Sequence, residues 1–243
     1  MFSKIGRYFL FLASMFRNRE KFSVYVKQTF EECVSIGTDS IFIVGIVSGF
    51  IGAVTCVQIA ANLVNPLLPR SIISLSVRDM TLLELAPTFS CVVLAGKVGS
   101  SIAGSLGTMR VTEQIDALEV MGINSASYLV LPKIIAAMLT FPMLITLADF
   151  LSIFGGYVGG TLSGAISADD YIAGIRQDFI PFNYPFSLIK AVVFAFLIIT
   201  ISSFQGYYTR GGALEVGKAG TAAVTNSCIA ILIADYILAD LLL

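Results

Sequence analysis

The sequence predicts an all-α membrane protein: an N-terminal interfacial amphipathic helix, five transmembrane helices, and a short cytoplasmic helix between the second and third spans. Three observations predict it. Charged residues make up only 13% of the chain and hydrophobic ones 56%, whereas a soluble domain usually carries about 25% charged residues. The mean hydropathy is +0.88. Long apolar stretches recur along the chain, separated by short segments rich in Gly, Pro and charge. The length, 243 residues, is that of one domain. The expected division is an interfacial segment at 1–35 and a five-span domain at 36–243, with the short helix at about 112–122.

Composition also excludes function classes. The net charge of −1 gives nucleic-acid binding no electrostatic support. The chain has no histidine, so the commonest general acid/base and metal ligand are both missing; neither an enzyme, a metal site nor a cofactor is expected. Cys33, Cys56, Cys91 and Cys228 are too scattered for a zinc or redox motif. They read as small apolar packing residues.

Residues 1–35 begin with an apolar run too short to span, since a span needs about 20 apolar residues. Basic residues continue past that run and no small-residue cleavage site follows, so a signal peptide does not fit. Phe2, Ile5, Phe9 and Leu12 or Phe16 can share a helix face with Lys4 and Arg7 off it, the pattern of a helix lying in a membrane interface. The first span, 37–61, has Asp39 near its start and the small pair Gly45 and Gly49 four apart. A connection at 62–79 contains Pro66 and Pro69. The second span, about 81–105, holds Glu84 and Pro87 near one end. The third runs from about 131 to 158 through Pro142, where a kink is expected, and contains Asp149; glycines at 155, 156, 159, 160 and 164 follow. Residues 163–186 read as a polar, turn-rich loop. The fourth span, about 187–207, carries Lys190 near its start, and the fifth, about 219–242, contains Asp235.

Lysine and arginine set the orientation. Lys4, Arg7, Arg17, Arg19, Lys21 and Lys27 precede the first span. On the same side, the segment 97–133 holds Lys97, Arg110 and Lys133, and the segment 208–218 holds Arg210 and Lys218. The other side holds Arg70, Arg78 and Arg176. The N-terminus and the 112–122 helix are therefore expected in the cytoplasm and the C-terminus outside.

The chain is organised around 84–124. Gly96, Ser100, Ala103 or Gly104, and Gly107 recur at helical spacing, a stripe that lets another membrane helix approach closely. From Thr112 to Gly122 a short amphipathic helix is predicted, with Thr112 able to cap its start and Gly122 to end it. Ile115, Leu118 and Met121 fall on one face and Glu113, Asp116 and Glu119 on another.

Within this stretch Glu84-Leu85-Ala86-Pro87, Ala95-Gly96-Lys97-Val98-Gly99 and the contiguous run from Leu106 to Gly122 resemble the signature of the MlaE family, the permease subunits of ABC-type lipid transporters that work with MCE proteins. Leu83 stands where that family often has a basic residue. The resemblance implies a permease homodimer in the bacterial inner membrane, with a lipid cavity between the copies open to the periplasm. It also implies a separate ATP-binding subunit, a hexameric MCE-domain protein and often a STAS-domain protein. The substrate would be a phospholipid or other membrane lipid. The 112–122 segment would be the coupling helix, with Glu113, Asp116, Leu118, Glu119 and Met121 meeting the ATPase.

Glu84, Asp149, Lys190 and Asp235 are ionisable residues inside spans, where charge is costly and usually marks function. Counting about 1.5 Å per helical residue puts all four at a shared depth in the outer half of the bilayer. A buried ion-pair network is expected there, with Lys190 serving Glu84 above all. Structurally it would join helices; functionally it would gate or polarise a route for a lipid headgroup. Leu63, Val64, Leu67 and Leu68 are expected acyl-chain contacts near the outer end of the first span. Gly212 to Ala219 nearly spells a P-loop but lacks its final Ser/Thr and joins two spans, so no ATPase is expected in this chain, and if transport is ATP-driven the motor is a separate subunit. Two other classes also fit the composition. An ion-coupled secondary transporter should show an inverted repeat, which is not visible here. A non-transporting membrane scaffold needs none of the charges.

Overall fold

A computed structural model describes residues 2–15, 22–63 and 69–242 of the chain. Helix α1 spans Phe2–Ser14 and α2 spans Phe22–Ile36. A single 3₁₀ turn, Thr38–Ser40, joins α2 to α3, Ile41–Asn62. Helix α4, Ser71–Met80, runs through a wide π-type stretch, Thr81–Phe89, into α5, Ser90–Leu94, then through a second such stretch, Ala95–Gly99, into α6, Ser100–Val111. The short helix α7 is Gln114–Val120, and α8 runs unbroken from Ser125 to Leu162. Helices α9 (Ala168–Arg176), α10 (Asn183–Tyr207) and α11 (Ala213–Leu242) complete the chain. Among the described residues the fold is all-helical, and five helical stretches are long and apolar enough to cross a membrane.

These five stretches coincide with the five expected spans and overrun each of them. The first extends back through α2, because Val24–Asn62 is nearly one helix. The second covers Ser71–Val111 and the third Ser125–Leu162. Pro132 and Pro142 both lie inside α8, which continues as helix through them. The expected polar loop at 163–186 contains a helix of its own, α9. Ser167 caps it by accepting from the Asp170 N–H at 3.1 Å, and Asp169 and Asp170 fill its first turn, favourable beside the helix N-terminus. The segment resembling a P-loop is, from Ala213 on, the first two turns of α11, with helix α10 rather than a strand before it.

Small residues hold α3 against α8. A Cβ at Gly52 would lie 1.7 Å from the Ser152 carbonyl oxygen, and one at Gly155 would lie 2.0 Å from the Gly49 carbonyl oxygen. Ser152 Oγ donates to the Ser48 carbonyl at 2.9 Å across the same seam. Close backbone approach of this kind replaces the missing hydrophobic drive in lipid. The stripe on the second span divides. Gly99, Ala103 and Gly107 meet Ser202, Gly206 and Val216 of α10 and α11, whereas Gly96 and Gly104 have nothing near a would-be Cβ. Ser100 and Gly104 instead line an open groove of about 460 Å³ beside α11.

The N-terminal helix differs from the expected single apolar face. Phe11 and Met15 are buried, Leu12 packs against the core, and Phe9 and Leu10 point outward. Phe11 sits among Phe204, Tyr207 and Tyr208, and Tyr8 shares a 2.7 Å hydrogen bond with Thr200. Helix α1 is thus docked on the end of α10. The Phe2 and Ile5 side chains, and Phe16, lie outside the described residues.

The α3–α8 seam has no room for a side chain, so Gly155→Leu should force the two helices apart. Overpacking costs of about 1–3 kcal/mol should appear as a lower melting temperature in detergent. Gly104→Leu, facing open space, should leave it unchanged.

Candidate functional site

Lys190 lies on α10 with no exposed surface. Its Nζ donates to Glu84 Oε1 at 2.8 Å and to the Leu83 carbonyl at 2.8 Å. Asp235 Oδ1 on α11 closes from the other side at 2.7 Å, as an ion pair out of hydrogen-bond alignment. The Phe186 ring centroid is 4.6 Å from the ammonium, a cation–π contact. One lysine therefore joins the second, fourth and fifth spans.

Local sequence disfavours regular α-helix at the Leu83 carbonyl. In an α-helix it would accept from the N–H of residue 87, and proline has none. Pro87 lies within the π-type stretch that carries Glu84, and such irregular turns concentrate at functional sites. Leu83, the position lacking the family's basic side chain, contributes through its backbone.

The structure brings three of the four expected charges together and leaves one apart. Asp149 accepts from Ser187 Oγ at 3.2 Å. Its other oxygen is buried without a hydrogen-bond partner. Asp149 faces α10 one turn ahead of Lys190, at Ser187, rather than joining the cluster. Leu63 packs against Cys56, Ile73, Val77, Ile166 and Tyr171, the small core beneath α4 and α9. Val64, Leu67 and Leu68 lie outside the described residues.

Charge reading missed Arg78. It is 2% exposed and donates to the carbonyls of Ile175, Gln177 and Asp178 at 2.7, 2.6 and 3.2 Å. It also pairs with Asp79 at 2.8 Å. These carbonyls lie in the last turn of α9 and just beyond it, where backbone acceptors lack helical partners. Arg78 thus locks α9 to α4 at the end of the bundle nearest Glu84. The only sequence signal was a cation late in α4; what it meets lies about 100 residues away.

At the opposite end, α7 protrudes beyond the spans. Its start is not capped by Thr112, whose hydroxyl donates to the Thr108 carbonyl at 2.8 Å and so closes α6. Glu113 turns the chain in the left-handed region, φ 61°, uncommon outside glycine. Gly122 ends the helix as expected, at φ 80°, with Gly122 and Ile123 N–H groups donating to the Glu119 and Leu118 carbonyls, a Schellman arrangement.

The expected faces of α7 are redistributed. Ile115 is fully buried and Leu118 half-buried, but Met121 is 65% exposed and Val120 89% exposed. Asp116 pairs with Arg110 at 2.6 Å. Glu119 Oε1 accepts from Ser125 Oγ and from Tyr207 Oη, each at 2.9 Å, so it bolts α7 to α8 and α10. Glu113, Val120 and Met121 remain free to meet a partner.

Five helices long and apolar enough to cross a membrane, with a buried charge cluster and a braced helix outside them, describe a multi-pass membrane protein. The chain belongs to the Permease MlaE family, whose profile matches residues 29–241. It is 38% identical to a probable ABC transporter permease protein of Rickettsia bellii over 98% of this chain and 91% of that protein. A probable ABC transporter permease protein of Synechocystis is 35% identical over 89% of this chain and 82% of its own length. The chloroplastic protein trigalactosyldiacylglycerol 1 of Arabidopsis thaliana is 32% identical over 90% of this chain and 63% of its own length. The chain is a transporter permease, a membrane transport subunit rather than an enzyme.

Two substitution series test the charges. Lys190→Met strands two carboxylates, and breaking a buried pair commonly costs about 3–5 kcal/mol. Asp235 is less exposed than Glu84, so adding Asp235→Asn should recover more thermal stability than adding Glu84→Gln. Asp149→Asn removes a buried charge that has one neutral partner and should raise the melting temperature.

Proposed function

We propose that this permease moves a membrane lipid, a phospholipid above all, between the inner and outer bacterial membranes, powered by a separate ATP-binding subunit. An ATP-binding partner is implied by the ABC permease family itself. The chain would act as a homodimer in the inner membrane, with an MCE-domain protein on the periplasmic side and a STAS-domain protein on the ATPase. Lysine and arginine crowd the α7 end of the bundle, which supports a cytoplasmic position for that end and the N-terminus and a periplasmic one for the C-terminus. The lipid class is supported by family membership and by the relative in Arabidopsis, whose name contains that of a diacylglycerol lipid. The Glu84–Lys190–Asp235 cluster would lie on the periplasmic half, where its partly exposed Glu84 can polarise a headgroup route. An apolar groove on α3 and α8, lined by Ala53, Val54, Val57 and Gly159, offers acyl-chain contact at the same end.

The observation that carries this reading is the form of α7. It is short, lies outside the spans, is braced to three spans through Arg110, Glu119, Ser125 and Tyr207, and presents Glu113, Val120 and Met121 outward. A helix so fixed transmits a push from a motor to the helices that move substrate. Glu113→Lys combined with Met121→Asp should release the ATPase or leave ATP hydrolysis running without lipid transfer, while the melting temperature of the isolated permease stays unchanged. Normal assembly and transfer by this variant would show that α7 is only a solvated turn.

A further inference from the structure

We propose that a mixed-charge cleft between α2, α6 and α8 binds the headgroup of a zwitterionic phospholipid from the cytoplasmic leaflet. Two adjoining cavities of about 260 Å³ each share Glu32, Ser105 and Lys133 as walls. Either is several times the roughly 30 Å³ that one water occupies. Neither belongs to the Lys190 cluster. Lys97 lies 13 residues along the second span from Glu84, about 20 Å at the helical rise, and Lys133 lies 16 residues along α8 from Asp149, about 24 Å. Asp39 and Glu32 just precede the apolar run that begins at Ile41. The cleft therefore sits at headgroup depth on the α7 side, and its place in the cytoplasmic leaflet rests on the orientation and lipid handling proposed above.

Its charges are graded. Beyond the shared Glu32, Ser105 and Lys133, one cavity adds Gln28 and Glu31. The other adds Lys97, the hydroxyl of Ser101, and Asp39. Three carboxylates against two ammoniums disfavour a plain anion; they match a ligand carrying both a phosphate and an ammonium. The phosphate belongs against Lys97 and Lys133. An ammonium offers three donors. Lys133 uses one on Glu32, and Lys97 uses two, on the Asp39 carbonyl and Ser40 Oγ, so both retain donors. The ligand's own ammonium belongs against Glu31 and Glu32. There Gln28 Oε1 is buried with no hydrogen-bond partner, an arrangement that normally costs stability unless something donates to it. Phe30 and Val34 are exposed on α2, one turn apart, and give acyl chains an apolar path beside the cleft.

The test uses the full chain, purified and reconstituted in nanodiscs of equimolar phosphatidylethanolamine and phosphatidylglycerol, with the lipids retained on extraction counted by mass spectrometry. The wild type should retain phosphatidylethanolamine preferentially. Ser105→Leu fills the shared wall without touching a charge and should reduce the preference about tenfold, as loss of one set of charge-assisted contacts would, with the melting temperature preserved. Glu31→Gln, at an exposed acid, should move retention toward phosphatidylglycerol. Inorganic phosphate should displace nothing; displacement by it would mark a plain anion site and overturn the proposal. Absence of any preference in the wild type, or a preference that survives Ser105→Leu, would overturn it as well. ATP-driven lipid transfer by the assembled complex reports separately on the permease reading, so transfer retained without headgroup preference defeats the cleft alone.

Discussion

A buried ammonium is stable only when oxygens surround it, and Lys190 obtains three from two other helices. Each ion taken out of water costs several kcal/mol before pairing, so the spans carrying Glu84 and Asp235 cannot leave α10 without stranding a charge. The third oxygen is a backbone carbonyl. Pro87, four residues on from Leu83, lacks the N–H that this carbonyl would bind in an α-helix; the stretch is wound as a π-helix, and Lys190 donates to the carbonyl at 2.8 Å. The arrangement ties three spans at one point while keeping Glu84 partly accessible.

Around that point the two ends of the bundle are fastened by different chemistry. At the α9 end, Arg78 gathers carbonyls left open at the end of a helix. At the α7 end, a carboxylate gathers two hydroxyls, Glu119 with Ser125 and Tyr207. Between them, α3 and α8 touch backbone to backbone along Gly52, Gly155 and Gly159. Shared contacts of this density make α3 and α8 one body, whereas α11 keeps most of its apolar surface uncovered. Under the permease reading, force entering at α7 reaches α8 and α10 directly, through side chains rather than through a flexible loop.

The charges also separate by role. Arg78 is buried and spends its donors on backbone carbonyls, whereas Glu119 holds two hydroxyls while staying exposed. The Lys190 cluster is different because two carboxylates face one ammonium. The cleft at Lys97 and Lys133 differs again, since it is roomy and holds an unpartnered acceptor. A transporter of amphipathic molecules needs polar sites at more than one depth, and the chain has them near both ends of its second span.

The sequence by itself determined the number of spans, their order and the charged positions within them, because a bilayer forces each crossing to be a long apolar helix and makes each intramembrane charge conspicuous. It also determined where α7 ends, since Gly122 adopts the positive φ that glycine permits. Only the tertiary structure decided which charges meet. Asp149 and Asp235 look alike in sequence, yet rotation of α8 and α11 about their axes points one at Ser187 and the other at Lys190. Met121 left the Ile115 face because steps of three residues drift by about 60° each at 3.6 residues per turn, and Met121 lies past the end of α7. Pairing across about 100 residues, as at Arg78, depends on how helices pack, and packing is set by shape complementarity among many side chains at once rather than by any residue read in its own place.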